Sequence, residues 1–193
     1  MEALKQRILK DGKNLGRSIL KVDNFINHQV DTRLMFAIGQ ELAQPFTDAG
    51  VTKVLTAEIS GIAPALATAY ALDVPMIYAR KARPITMTGL VYVEIARSRT
   101  KGGQDVFLMI ESEFISPDDR VLIVDDFLAS GATIAALVRL VKHAGATPVG
   151  IASPIEKGFE GGRKELASFD IPIVSLVNIV DMSEGRIVFA EPE

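Results

Sequence analysis

Apolar residues follow two different spacings along this chain. Between residues 31 and 48 they recur at every fourth position, at Leu34, Ile38, Leu42 and Phe46. This spacing predicts an amphipathic helix that ends near Gly50. Beyond it, short β-rich runs alternate with Ala-rich segments. The alternation predicts strands at 52–56, 74–78, 120–124, 148–153 and 173–178, and helices at 61–72, between 131 and 145, and at 163–169.

Two further strand-like segments interrupt this alternation. LVYVEIARS (90–98) and DVFLMIE (105–111) flank the polar stretch 101–104, which predicts a hairpin or a longer mobile arm. The order β-α-β, hairpin, β-α-β-α-β predicts an α/β fold, with an open, mostly parallel sheet and helices on both of its faces.

The composition is that of a globular protein. With 193 residues, of which 48% are hydrophobic and 23% charged, the chain fits a single domain and not a disordered or fibrous chain. A formal net charge of −3 argues against broad nucleic-acid binding. The lack of cysteine excludes disulfides and Cys-ligated zinc. Because the chain has neither an apolar leader nor an apolar run of about 20 residues, we expect a soluble, cytoplasmic protein with no membrane partner.

The stretch VLIVDDFLASGAT (121–133) combines a buried strand, two carboxylates and a loop of small residues that opens a helix. The loop residues are Ala129, Ser130, Gly131, Ala132 and Thr133. Their backbone N–H groups can surround a phosphate at the helix N-terminus, and two of them add hydroxyl donors. The stretch has no P-loop lysine and no G-x-G-x-x-G spacing, so it is neither an ATPase loop nor a dinucleotide fingerprint.

Asp125 and Asp126 suit the sugar of the same ligand. An ionised carboxylate only accepts hydrogen bonds, and a ribose diol offers two hydroxyl donors. A phosphate loop beside such a pair predicts a ribose 5-phosphate site. The alternative is structural: the two acids end a strand, and Ser130 caps a helix.

VLIVDDFLASGAT resembles the signature with which type I phosphoribosyltransferases bind phosphoribosyl diphosphate (PRPP). The segments MEALK, LKVDNFINHQ, ISGIAPA, YARK and IEKGF extend the resemblance over essentially the whole chain, to bacterial members that act on xanthine. It implies the family fold with a flexible hairpin hood over residues 84–104. It also implies a base-binding segment at about 1–50, a PRPP-binding core at about 51–154 and a second base-binding segment at about 155–193.

The resemblance implies transfer of the 5-phosphoribosyl group from PRPP to xanthine, with Asp125 and Asp126 as catalytic residues. The pyrophosphate would be bound by Ser60, Gly61, Arg80 and Lys81, with hood contacts from Arg97, Arg99 and Lys101. The xanthine contacts would be Leu20, Asn27, Lys157 and Phe159. Lys157 could donate to the purine O6, and Phe159 could stack on the ring.

One position departs from the related hypoxanthine-guanine enzymes, which carry an acidic residue three positions after the acidic pair. This chain has Ala129 there, so the resemblance provides no protein general base. Xanthine is more acidic than hypoxanthine, and the base could arrive partly as an anion. We expect His28 and His143 to be structural or exposed, since neither has a metal-ligand partner in sequence.

The expected cofactor is Mg²⁺ carried by PRPP, with no protein metal ligands, because this hard cation prefers phosphate oxygens and water. The resemblance implies a homodimer. Three alternatives remain open: a transferase that prefers guanine or hypoxanthine, a PRPP-sensing regulator and a receiver-type signalling domain. Neither the length nor the charge leaves room for the DNA-binding domain that such a regulator usually carries, and a receiver's acidic pair should follow an early strand.

Overall fold

A computed structural model describes residues 1–97 and 105–191 of the chain. In chain order, its helices and strands are α1 (Glu2–Asp11), β1 (Lys13–Asn14), β2 (Leu20–Lys21), α2 (Thr32–Ala43), β3 (Lys53–Ala57), α3 (Ile62–Leu72), β4 (Met76–Ala79), β5 (Val91–Arg97), β6 (Asp105–Glu111), β7 (Arg120–Val124), β8 (Phe127–Leu128), α4 (Ala132–His143), β9 (Thr147–Lys157), α5 (Gly162–Leu166), β10 (Ile173–Asp181) and β11 (Val188–Phe189).

A seven-stranded sheet forms the centre of the molecule. Its strands lie in the order β11-β10-β9-β7-β3-β4, with the short β8 beside β9. All neighbouring pairs are parallel except β10 with β11. The predicted α/β fold with a mostly parallel sheet is therefore confirmed.

Two hydrophobic cores lie on opposite faces of this sheet. Along β7, Leu122 and Val124 belong to one core, and Val121 and Ile123 belong to the other, because successive side chains of a strand point to opposite faces. Apolar residues of α1, α2 and α3 cover the first face, and those of α4, α5 and the β5–β6 hairpin cover the second. Helices on both faces explain why β7 is an unbroken apolar run.

The predicted helix at 31–48 is α2 followed by a 3₁₀ turn at Gln44–Phe46. The Asp31 side chain caps it by accepting a hydrogen bond of 3.2 Å from the Leu34 N–H. Gly39 lets α2 approach α3 closely, since a Cβ at this position would lie 2.5 Å from the Ala67 carbonyl oxygen. This contact fixes α3, and with it the turn that enters α3 from β3.

The hairpin predicted from the two strand-like segments is confirmed, with β5 and β6 paired antiparallel along their full lengths. Reciprocal backbone hydrogen bonds of 2.9 Å between Arg80 and Met109 attach it to the end of β4. The hairpin tip, and with it the predicted anion contacts Arg99 and Lys101, lies outside the described residues.

Sequence reasoning did not predict α1 or the two-residue strands β1, β2, β8 and β11. Only Leu4 and Ile8 of α1 are buried, and the Met1 ammonium donates a hydrogen bond of 2.8 Å to the Leu176 carbonyl.

Among residues 1–97 and 105–191, no helix combines the length and apolar content that crossing a bilayer requires.

Candidate functional site

The sheet changes winding direction between β3 and β7. The chain passes from β3 through α3 on one face of the sheet, and from the adjacent β7 through α4 on the other face. The segments that follow β3 and β7 therefore leave the carboxyl edge toward opposite faces of the sheet. In open α/β sheets, this is where ligands bind.

Asp125 and Asp126 lie at this edge, directly after β7. The Asp126 N–H donates a hydrogen bond of 3.1 Å to Asp125 Oδ1, and Asn27 Nδ2 lies 3.5 Å from Asp126 Oδ2. Burial raises the pKa of Asp125 well above its ordinary value; the charge of Asp126 raises it further, and Lys81 acts in the opposite direction. Burial also raises the pKa of Asp126. Hydroxyl donors from a ligand would stabilise the ionised forms of both carboxylates.

The turn after β3 touches this carboxylate pair. A Cβ on Gly61 would lie 2.6 Å from Asp125 Oδ1 and would also clash with the buried Thr56 hydroxyl. Only glycine fits this position, so the structure brings together the predicted pyrophosphate turn and the predicted diol pair. The half-buried Ser60 precedes Gly61 in the same turn.

Glu58 joins the end of β3 to the end of β4. Its Oε1 accepts a hydrogen bond of 2.7 Å from the Lys81 N–H, and its Oε2 lies 2.9 Å from Arg80 Nε. The structure thus places the predicted cations Arg80 and Lys81 beside the 58–61 turn. The Arg80 charge is already paired with Glu58, whereas Lys81 is exposed and acts electrostatically on Asp125.

The predicted phosphate loop lies at the start of α4. Gly131 is the N-cap residue and has φ +80°, a conformation that favours glycine. The first helical hydrogen bond runs from the Ala135 N–H to the Gly131 carbonyl at 2.8 Å. The N–H groups of Ala132 and Thr133 therefore have no acceptor within the helix, and they can bind an anion.

Gly162, at the start of α5, lies directly behind this loop. A Cβ on Gly162 would collide with the Ala129 carbonyl oxygen, and it would lie 2.7 Å from Leu128 Cδ1 and 3.1 Å from the Gly131 nitrogen. Sequence reasoning missed this support. The Gly161-Gly162 pair before a predicted short helix was its only signal.

The predicted base contacts come from both ends of the chain. Lys157 Nζ, at the end of β9, donates a hydrogen bond of 2.7 Å to the Ser18 carbonyl and lies 3.5 Å from Glu160 Oε1. Leu20 is buried nearby in sequence, on β2. The structure therefore joins Lys157 to the N-terminal segment.

Asn27 has a buried Oδ1 with no hydrogen-bond partner in the described part of the chain. Because its Nδ2 faces Asp126, the same side chain offers an acceptor beside the carboxylate pair. A buried unpaired acceptor is costly, and a ligand N–H would satisfy it.

Phe127 was missed by sequence reasoning, although it directly follows the acidic pair. Its ring centroid lies 5.2 Å from Lys157 Nζ, so an aromatic face reaches the junction between the carboxylates and Lys157. The predicted stacking residue Phe159 lies on the turn Gly158–Glu160 with 40% of its surface exposed. The Ser18 carbonyl carried no sequence signal, because any residue type has one.

The remaining predicted residues lie outside this constellation. Arg97 is exposed and 3.7 Å from Asp105, where the described part of the hairpin ends. His28 is exposed, and His143 Nδ1 lies 2.9 Å from Glu94 Oε1. Across residues 1–97 and 105–191, no group of three or more His, Asp or Glu side chains is arranged to hold a metal ion.

Similarity to known proteins identifies the family of this chain. Residues 27–181 match the family model described as the phosphoribosyl transferase domain. The chain belongs to the phosphoribosyltransferase family. It is 49% identical over 191 residues to a xanthine phosphoribosyltransferase of Deinococcus deserti, covering 99% of this chain and 98% of the relative.

Other members agree with this assignment. A xanthine phosphoribosyltransferase of Streptococcus pyogenes serotype M5 is 46% identical over 193 residues, covering all of both chains. The crystal structure of adenine phosphoribosyltransferase from Rhodothermus marinus aligns with a TM-score of 0.74 at 30% identity, covering 92% of this chain and 97% of that one. The predicted type I phosphoribosyltransferase fold is thus confirmed.

Proposed function

We propose that this phosphoribosyltransferase transfers the 5-phosphoribosyl group from PRPP to xanthine, forming xanthosine 5′-monophosphate (XMP) and pyrophosphate in purine salvage. The full-length relatives that bear this name support the substrate. The observation that carries the proposal is the contact between the buried Asp125 and the glycine of the 58–61 turn, beside a helix N-terminus that begins with Gly131. We assign a diol, a pyrophosphate and a phosphate to these neighbouring positions.

Each part of PRPP would meet a different element. Asp125 and Asp126 accept hydrogen bonds from the ribose hydroxyls. The amides of 129–133, aided by the Ser130 and Thr133 hydroxyls, bind the 5′-phosphate at the α4 N-terminus. Ser60, Gly61, Arg80 and Lys81 bind the pyrophosphate, which arrives as its Mg²⁺ complex.

These contacts would accelerate departure of pyrophosphate. As the bond to C1′ breaks, positive charge grows on the ribose and negative charge on the leaving group, and the ionised aspartates and the cations face these charges. The 5′-phosphate is held away from the reacting carbon, so its binding energy serves to place C1′ in line with the purine N9. Closure of the hairpin hood would exclude water that could hydrolyse PRPP.

The base would be recognised where the two chain ends meet. Lys157 donates to the purine O6, which favours an oxo over an amino group there. The unpaired Asn27 Oδ1 accepts a ring N–H, and Leu20, Phe159 and Phe127 supply apolar faces. The N-terminal segment, the PRPP core and the C-terminal segment would thus divide the substrate between them, as expected from the sequence.

The purine also has to lose a proton. Because Ala129 occupies the position of the acidic residue in related enzymes, we infer that xanthine reacts partly as its own anion. The rise of kcat/KM for xanthine with increasing pH should then persist when carboxylates near the site are replaced. One substitution that abolishes this rise would identify a protein base and contradict the inference.

The function is tested by offering PRPP and Mg²⁺ with xanthine, guanine, hypoxanthine or adenine and following pyrophosphate release. We expect the highest kcat/KM with xanthine. Faster release with guanine or hypoxanthine would establish the alternative substrate preference. PRPP binding without release for any purine would favour the sensor. We expect a cytoplasmic enzyme that acts as a homodimer.

A further inference from the structure

Glu156 is a buried carboxylate that the proposed chemistry does not use. It lies on β9 with 2% of its surface exposed. Arg163 on α5 holds it from two directions, with Nε 2.8 Å from Oε1 and Nη2 2.9 Å from Oε2. Arg163 Nη1 also donates to the Ile173 carbonyl of β10 at 3.3 Å. This two-point geometry fixes the orientation of the arginine as well as its position.

The pair is attached at both ends to the phosphate loop. Glu156 is the register partner of Leu128, the last strand residue before the loop. Arg163 directly follows Gly162, whose backbone packs against the Ala129 carbonyl and the Gly131 nitrogen. Gly131 returns this contact, since a Cβ there would lie 3.0 Å from the Gly162 carbonyl oxygen. The ion pair therefore spans the two backbone segments that meet behind the loop.

We propose that Glu156 and Arg163 are positioning residues for the 5′-phosphate loop: their ion pair presses Gly162 against Ala129 and Gly131 and so fixes the direction of the loop amides. The proposal rests on the assignment of this loop to the 5′-phosphate. The residue at the N-cap has no side chain to orient the amides, because it is Gly131. Support has to come from behind the loop, where Gly162 lies.

This role predicts a selective defect. Amides that point in variable directions bind a phosphate less well, because ordering them on binding costs free energy. PRPP, XMP and ribose 5-phosphate all carry the 5′-phosphate, whereas pyrophosphate meets the 58–61 turn on another strand. Loss of the ion pair should weaken the binding of PRPP, XMP and ribose 5-phosphate and leave the binding of pyrophosphate unchanged.

The test compares Arg163→Lys with the double variant Glu156→Gln/Arg163→Gln. Lysine retains the charge without the two-point geometry, and the double variant leaves no unpaired buried charge. We expect KM for PRPP and Kd for XMP to rise about tenfold in the double variant and less in Arg163→Lys, as for other supporting residues around a site. KM for pyrophosphate in the reverse reaction should stay within about twofold.

A matched control is the ion pair of Lys53 and Asp119, which are 2.9 Å apart at the opposite edge of the sheet. Lys53→Gln should lower Tm and leave all four ligand constants unchanged. The proposal is overturned if the Glu156 and Arg163 variants fold, as judged by Tm and circular dichroism, and bind all ligands as the wild type does. It is also overturned if the variants bind pyrophosphate and XMP with equally reduced affinity, because equal losses indicate a general loss of structure.

The proposed function can fail separately. If the wild-type protein does not use xanthine, ribose 5-phosphate binding, measured by calorimetry, still reports on the loop. Weaker ribose 5-phosphate binding by the double variant then supports the positioning role, and unchanged binding overturns it.

Discussion

The carboxylates of Asp125 and Asp126 are held where ionisation is unfavourable in the free protein. Both have a raised pKa, caused first by burial and, for Asp125, next by the charge of its neighbour. A folded-state pKa above the unfolded value means that the ionised groups cost stability at neutral pH, and that this cost disappears as the pH falls to the ordinary carboxyl range. The two ionised carboxylates thus lower the stability of the free protein while providing hydrogen-bond acceptors for a ligand.

The first prediction concerns Asp125→Asn/Asp126→Asn. At pH 7.5 this variant should lose about 100-fold or more in kcat/KM, because each charge-assisted hydrogen bond to the ribose is weakened. Its Tm should exceed that of the wild type at pH 7.5, and the difference should shrink as the pH falls and approach zero only below the ordinary carboxyl pKa of 3.8, where the wild-type carboxylates are protonated in both states. Thermal melts across this pH range check the sign. A lower Tm at neutral pH would contradict it.

Lys157 gives a prediction about base selectivity. Lys157→Gln removes the positive donor that we assign to the purine O6 and should lower kcat/KM for xanthine about 10- to 100-fold, while KM for PRPP stays near its wild-type value. Because adenine has an amino group at this position, its kcat/KM should fall less. Steady-state assays with both bases measure the ratio. An equal decrease in kcat/KM for xanthine and adenine would show that Lys157 does not recognise the purine O6.

At the residue scale, sequence was most informative where the site is contiguous. The loop 129–133 and the acidic pair lie in one stretch, and the structure places them together at the sheet edge. Phe127 and Gly162 were missed, because their roles depend on neighbours distant in sequence. The Ser18 carbonyl that binds Lys157 could not be found, because a backbone group has no residue signature.

At the element scale, the close packing of α2 against α3 at a glycine positions the turn that contacts Asp125. Gly39 allows α2 to contact Ala67 of α3, and α3 begins directly after the turn that touches Asp125. The strands and helices of the βαβ units were predictable from periodicity. The helix α1 was not, since only Leu4 and Ile8 among its ten residues are buried, and neither was the two-residue β11, which is too short to show a pattern.

Gly39→Ala tests this packing. The added methyl group would lie 2.5 Å from the Ala67 carbonyl oxygen, so the helices must separate. We expect a loss of about 1–3 kcal/mol in the free energy of unfolding, the usual cost of overpacking. Urea denaturation measures it. Ala67→Gly on the facing helix removes only the Ala67 Cβ, which would lie 2.6 Å from the added methyl group, and leaves the carbonyl contact in place. In combination with Gly39→Ala it should therefore not restore the wild-type free energy of unfolding.

At the scale of the whole molecule, an apolar patch on α2 and α3 remains exposed. Phe36 and Tyr70 stack edge to face with ring centroids 5.4 Å apart, and Tyr70 and Leu66 are 75% and 55% exposed. Contiguous apolar patches of this kind are typical of association surfaces. A second copy of the chain is the partner that the family resemblance implies.

We predict that Tyr70→Glu weakens self-association by about 1–3 kcal/mol, because a charge would be buried against an apolar surface. Sedimentation velocity over a concentration range measures the change. Leu9→Glu on α1, where the leucine is 55% exposed, is the control and should sediment as the wild type does. A Tyr70→Glu protein that associates as the wild type does would place the contact elsewhere.

The bond between Lys157 and the Ser18 carbonyl joins the start of the C-terminal segment to the N-terminal segment. In the proposed assignment, most of the residues that contact the purine and those that bind the sugar phosphate therefore lie in separate stretches of the chain. Exchanging the terminal stretches among relatives that act on different purines offers an evolutionary route to a new nucleotide product, one that leaves the phosphoribosyl donor and its chemistry untouched.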